Sequence, residues 1–129
     1  MNKIKILIVE DDLFLRKICQ KKLEKQGFEV FLAEDGKIGI EQAKKNHPDL
    51  ILLDIILPNV DGFEVLKALK DDPSTNLIPI ILLSNLGQKE DLDKGLSLGA
   101  EDYLIKAQFS TQEIVNKINE TLEKVKSKK

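Results

Sequence analysis

The sequence predicts an α/β fold, a doubly wound five-stranded parallel sheet with five helices. Three observations carry that expectation. Five short apolar runs alternate with five longer amphipathic stretches. The first, third and fourth runs are apolar on successive residues, as in strands that helices cover on both faces. The joins carry single turn formers, such as Gly27, Asp35-Gly36, His47-Pro48, Pro58, Asp72-Pro73, Gly87 and Gly99, rather than Ser/Gly-rich linkers.

In chain order, the first strand is expected in Ile4-Lys5-Ile6-Leu7-Ile8-Val9 and is followed by a helix from Leu13 to Gln26. Val30-Phe31-Leu32 precedes a helix from Lys37 to Asn46, and Leu50-Ile51-Leu52-Leu53 precedes one from Gly62 to Lys70. Ile80-Ile81-Leu82-Leu83 leads to a fourth helix over Glu90 to Leu98. With Gly95 inside it and a thin apolar stripe, that helix is expected to be the weakest and most mobile. Tyr103-Leu104-Ile105 closes the strand set. The fifth helix, Ser110 to Val125, is the clearest: Ile114, Val115, Ile118, Leu122 and Val125 recur at helical spacing, and Ser110 with Glu113 forms a capping box. Right-handed crossovers place the ligand site of such a sheet at the carboxyl ends of the strands.

A chain of 129 residues fits one core, and its 42% hydrophobic content suffices without metal or disulfide staples. Twenty basic against 22 acidic residues, a net charge of −2, offer no general attraction to nucleic acid or to an acidic membrane surface. The basic exception is Lys124 to Lys129; residues 126–129 are expected to be a disordered tail. The single cysteine, Cys19, falls in an apolar stripe with Leu15, Ile18 and Leu23, which implies a buried thiol and no disulfide framework. Met1-Asn2-Lys3-Ile4 runs straight into the first strand without a secretory signal, and no run approaches a membrane span, so a cytoplasmic location is expected.

The residues that close the strands are Glu10-Asp11-Asp12, Asp54, Ser84 and Lys106. In a parallel sheet these converge on one rim. Clustered carboxylates repel one another, so a hard cation with oxygen ligands, such as magnesium, is their natural partner. Asp54 on a rigid strand end suits a nucleophilic carboxylate, although aspartate after a strand is also a common turn former. A cation, Lys106 and the Ser84 hydroxyl together would stabilise a transferring phosphoryl group.

The chain resembles, from Lys3 to about Val125, the receiver domains of bacterial two-component response regulators, of the stand-alone kind found among chemotaxis regulators. The matching residues are Glu10-Asp11, Asp54, Leu57-Pro58-Asn59-Val60-Asp61-Gly62, Ser84, Tyr103 and Lys106, with Asp54 preceding Ser84 by 84 − 54 = 30 residues and Lys106 by 106 − 54 = 52. The resemblance implies a flavodoxin-like strand order of 2-1-3-4-5 and a receiver domain over residues 1–125. It implies Asp54 as acceptor of a phosphoryl group from a sensor histidine kinase or histidine phosphotransfer protein. Magnesium would be held by Asp11 and Asp54, by Glu10 through water, and by the backbone carbonyl of Ile56; Asp12, one place beyond the matching pair, is either a further ligand or the cap of the first helix. Lys106 and Ser84 would hold phosphoryl oxygens, and Tyr103 would swing inward as Ser84 moves. The fourth helix, fifth strand and fifth helix would present the result to a downstream protein, the domain being a monomer or a phosphorylation-dependent dimer. Such a domain is a signalling module, not a turnover enzyme. Because the chain ends after the fifth helix, it is expected either to stand alone or to be part of a longer regulator.

Two positions depart from the family. Ala107 stands where a proline usually follows the lysine, and a cis bond there would cost about 2.5–4 kcal/mol. Asn85, after Ser84, is larger than usual and would screen the acyl phosphate. A haloacid-dehalogenase-like phosphatase would need a second aspartate at position 56, which is Ile56, and a flavodoxin-like cofactor binder would need a hydroxyl- and glycine-rich loop where Glu10-Asp11-Asp12 stands. A phosphorylation-independent interaction module is the remaining alternative. The lone histidine, His47, reads as a solvated loop residue. Phe14 is either a docking contact near the acidic rim or core packing of the first helix. Arg16, the lone arginine, has no assigned role.

Overall fold

A computed structural model describes residues 3–127. Five strands, β1 (Lys5–Val9), β2 (Glu29–Ala33), β3 (Leu50–Asp54), β4 (Ile80–Ser84) and β5 (Asp102–Ile105), form one parallel sheet in the order β2-β1-β3-β4-β5. The helices are α1 (Leu13–Lys25), α2 (Gly36–Asn46), α3 (Gly62–Asp71), α4 (Lys89–Ser97) and α5 (Thr111–Ser127).

The apolar strands need two covers because alternate side chains point to opposite faces. Leu7, Val9, Ile51, Leu53, Ile80 and Leu82 pack on one face against α2, α3 and α4. Ile6, Ile8, Leu50, Leu52, Ile81 and Leu83 pack on the other against Cys19 and Leu23 of α1 and Ile114, Val115 and Ile118 of α5. Nearly all of these are fully buried, each contributing roughly 1.5–3 kcal/mol by leaving water.

Local chemistry sets the helix starts. Asp12, Asp35 and Asp61 cap α1, α2 and α3 through side-chain bonds to N–H groups of the first turn. The expected capping box at α5 forms in both directions: Glu113 N–H donates to Ser110 Oγ at 3.1 Å, and Ser110 N–H to Glu113 Oε1 at 3.0 Å. Helix α5 runs to Ser127, so Lys126 and Ser127 are helical rather than part of a disordered tail; Lys128 and Lys129 lie outside the described residues. Helix α4 has the thin apolar stripe expected of it, and no side chain caps its start. Gly95 is buried, and a Cβ there would sit 2.5 Å from Leu82 Cδ1 and 3.2 Å from the Tyr103 ring, so this glycine lets α4 lie close on the sheet. Lys94 on the same helix stacks 4.5 Å above the Phe63 ring of α3.

Candidate functional site

Strand order reverses between β1 and β3, because β1 continues to β2 on one side while β3 continues to β4 on the other. Val9 is paired with Leu53, so the next residues along, Glu10 and Asp54, lie side by side at this switch point. Ser84 pairs with Ile105 at the ends of β4 and β5, which places Lys106 one step beyond. Register alone therefore brings together residues separated by up to 96 positions, 106 − 10 = 96.

Carboxylate oxygens of Glu10, Asp11 and Asp54 all lie within 4.8 Å of one another. Glu10 and Asp54 are only 2% and 3% exposed, whereas Asp11 faces solvent. Lys106 reaches over the pair, with Nζ 2.8 Å from Asp54 Oδ2 and 2.7 Å from Glu10 Oε1. The aligned hydrogen bond goes to Asp54, and Glu10 Oε1 keeps no hydrogen-bond partner of good geometry. The other carboxylate oxygen of Glu10 accepts from the Asp12 N–H at 3.0 Å. Burial pushes the Glu10 carboxyl up to about 7, against the pull of Lys106 and with the push of neighbouring Asp54. Burial also draws the Lys106 ammonium down, but its bonds to Asp54 and Glu10 outweigh that and hold it above the ordinary lysine value. Two buried carboxylates, a third at the mouth and a buried oxygen without an aligned donor form an oxygen-rich set that fits a hard dication of the magnesium class.

The loop after Asp54 is tightly built. Asp54 Oδ1 accepts the Ile56 N–H at 3.2 Å, Asn59 takes a left-handed φ of 72°, and Gly62 N–H closes the loop on Ile55 O at 2.7 Å. Any side chain at Gly62 would collide with the Ile55 backbone, its Cβ only 2.5 Å from Asp54 O. Ile56 itself stands 56% exposed above the rim.

Ser84 is fully buried, and its Oγ accepts the Leu86 N–H at 3.2 Å. The Tyr103 hydroxyl donates to the carbonyl of the same Leu86 at 2.6 Å. Both therefore hold one residue of the β4–α4 loop. Tyr103 is only 7% exposed, so its ring already lies inward, where the sequence reading had it swing in later; packing against Gly95 and Leu82 accounts for this. Of the two roles expected for Asp12, the structure shows the cap: its Oδ1 accepts from the Phe14 and Leu15 N–H groups at the start of α1, and it lies outside the carboxylate cluster. The Lys106–Ala107 peptide is trans and opens a 3₁₀ turn, Lys106–Gln108.

Cys19 is buried, as its apolar stripe implies, and burial pushes its thiol up to about 11. His47 is exposed and ends α2 with a φ of 47°. Phe14 is 75% exposed and Leu13 53%, so the start of α1 presents an apolar surface beside the rim. Sequence reasoning missed Arg16, whose Nη1 donates to the backbone carbonyl of Glu10 at 2.7 Å. A side chain that binds a main-chain oxygen leaves no complementary residue type to search for.

Fold and rim together define a doubly wound α/β domain with a carboxylate–lysine cluster at its switch point. The response regulator receiver domain family matches residues 6–119, and the chain belongs to that family, whose members act with histidine kinases in two-component signalling. It is 37% identical over 127 residues to the probable transcriptional regulator ycf27 of Cyanophora paradoxa, covering 98% of this chain and 52% of that protein. The phosphate regulon transcriptional regulatory protein PhoB of Escherichia coli strain K12 is 38% identical over 121 residues, covering 94% of this chain and 52% of that protein. The chain thus spans about half the length of these curated relatives. Among solved structures, a CheY-like response regulator receiver domain protein from Methanospirillum hungatei superposes with a TM-score of 0.88 at 28% identity, covering 99% of this chain and all of that one. No described helix is long and apolar enough to cross a membrane.

Proposed function

We propose that this domain is a phosphoacceptor, in which Asp54 takes a phosphoryl group from the phosphohistidine of a kinase or phosphotransfer protein. The observation that carries this reading is the Asp54 carboxylate itself: buried, fixed at a strand end, 2.8 Å from Lys106 and clustered with Glu10 and Asp11. Glu10, Asp11 and Asp54, with the Ile56 carbonyl, are the residues that would hold magnesium. When bound, the dication offsets the negative charge of the carboxylates and of the phosphoryl oxygens.

An Asp54 oxygen attacks phosphorus as the phosphorus–nitrogen bond to the donor imidazole breaks, and the bonding pair leaves with that nitrogen. The Ile56 N–H holds Oδ1 and so orients the carboxylate plane. Lys106 already contacts Asp54 and pairs with a phosphoryl oxygen without crossing the site. Ser84 accepts from Leu86, which leaves its own hydroxyl hydrogen available to a second phosphoryl oxygen. Turning Ser84 toward the phosphoryl group frees the Leu86 N–H, and because Tyr103 holds the other side of Leu86, the β4–α4 loop shifts against α4 and β5. The switched surface is α4, β5 and α5, read by a protein target. Leu13 and Phe14 give the phosphodonor an apolar contact beside the rim. Each cycle moves one phosphoryl group, so the domain acts as a switch rather than as a turnover enzyme.

The test is intact mass after incubation with acetyl phosphate, with magnesium or with chelator, for wild type and Asp54→Asn. Wild type with magnesium is expected to gain one base-labile phosphoryl group, and the other three combinations none. A folded wild-type protein that gains nothing under any condition would instead support an interaction module that works without phosphorylation.

A further inference from the structure

Arg16 is the only arginine in the chain, and none of the chemistry above uses it. It lies on α1, half-buried, within six residues of Glu10, Asp11 and Asp12, yet among the described residues it forms no ion pair with any carboxylate. Its guanidinium donates instead to the main-chain carbonyl of Glu10 at 2.7 Å, while its own backbone N–H donates to the Asp12 carbonyl at 3.0 Å. A cation placed simply to offset charge would sit on a carboxylate. One that holds a carbonyl fixes a peptide plane.

That plane joins Glu10 to Asp11, whose carboxylates differ in burial, Glu10 shut off from water and Asp11 exposed, while their oxygens lie within 4.8 Å of each other and of Asp54. The turn is held elsewhere by Glu10 N–H on Ala33 O at 3.0 Å and by Asp12 N–H on Glu10 Oε2 at 3.0 Å. Neither bond restrains the Glu10 carbonyl. Without Arg16 that peptide can rotate, and the oxygens of Glu10 and Asp11 lose their common focus with Asp54.

We infer that Arg16 is a positioning residue for the divalent cation, acting through the Glu10–Asp11 peptide. The inference rests on the reading of the rim as a cation site. Arginine suits the task because its planar, multi-donor head is held with less loss of freedom than a lysine ammonium.

The experiment is magnesium binding by isothermal titration calorimetry on the whole chain, for wild type, Arg16→Met, Arg16→Lys and Cys19→Ala. Arg16→Met is expected to bind magnesium on the order of tenfold more weakly, as for loss of an outer support of a metal ligand, and Arg16→Lys to recover part of the loss. Cys19→Ala, which opens a small cavity in the buried face of α1, should weaken the helix and leave magnesium affinity at the wild-type value. Unchanged affinity in Arg16→Met overturns the positioning role alone. Equal losses in Arg16→Met and Cys19→Ala also overturn it, because affinity then follows helix stability. Absence of binding by wild type removes the cation site, and this role with it.

Discussion

Replacing Lys106 with methionine is expected to lower the stability of the metal-free domain by about 2–4 kcal/mol at pH 8 and by much less at pH 5. Lys106 is the one cation among the described residues that forms ion pairs with Glu10 and Asp54, at 2.7 and 2.8 Å, and both carboxylates are nearly shut off from water. Methionine keeps a stem of similar length and removes the charge. What remains at pH 8 is two buried like charges with no counter-ion, and removal of one partner from a buried pair typically costs about 3–5 kcal/mol. The Lys106 side chain is 20% exposed, so some of its interaction is screened and the expected loss falls to about 2–4 kcal/mol. At pH 5 Glu10 takes a proton and the like-charge term falls away. Urea unfolding in chelator at the two pH values measures both losses. Equal losses would show that methionine acts through packing, and no loss at pH 8 would show that the lysine does not offset the buried charge. Magnesium should restore much of the difference at pH 8, because it supplies the missing positive charge.

The second large effect is the pH dependence of the metal-free protein. A carboxyl held at about 7 in the folded state, against an ordinary 4.5, binds its proton more tightly when folded than when unfolded. Stability from this group is therefore complete below about pH 4.5 and is lost as the pH rises through 7, a fall on the order of 2–3 kcal/mol between pH 5 and 8. Groups shifted the other way do not obscure this window. Hydrogen bonds from Ser74 hold Asp72 below its usual value, and those from Ser110 do the same for Glu113, so both act at lower pH. Glu10→Gln should flatten the profile and leave the chelated protein more stable than wild type at pH 8. Thermal unfolding from pH 5 to pH 8 in chelator tests this; a profile unchanged by Glu10→Gln would assign the pH dependence to another group. In wild type, magnesium binding should strengthen up to about pH 7 and level off above it, since the ion displaces the Glu10 proton.

Much of this was readable before any coordinates. Strands sheathed on both faces must be apolar at successive positions, so β1, β3 and β4 stand out of the sequence, and their last residues mark the rim without further information. The Ser110–Glu113 box, and the cap as one of two roles for Asp12, were legible because a helix start has its own residue chemistry. Contacts that join a side chain to the main chain were not. Arg16 on the Glu10 carbonyl and Tyr103 on the Leu86 carbonyl place no demand on the partner's residue type. Gly95 reads as a helix defect until its neighbours Leu82 and Tyr103 show that a Cβ has no room. The sequence ends α5 at Val125, two residues short of Ser127, because lysines that look like a fraying tail also suit the last turn of a helix, whose carbonyls attract positive charge.

The claim on which all of this turns is that the phosphoryl group resides on Asp54. Borohydride reduction of the phosphorylated protein converts an aspartyl phosphate to homoserine, and peptide mass mapping then locates it. Homoserine is expected at position 54 alone, in the magnesium sample only; homoserine at Asp11, Asp12 or any other aspartate, or phosphate retained on a residue that borohydride does not reduce, would place the phosphoryl group elsewhere than on Asp54.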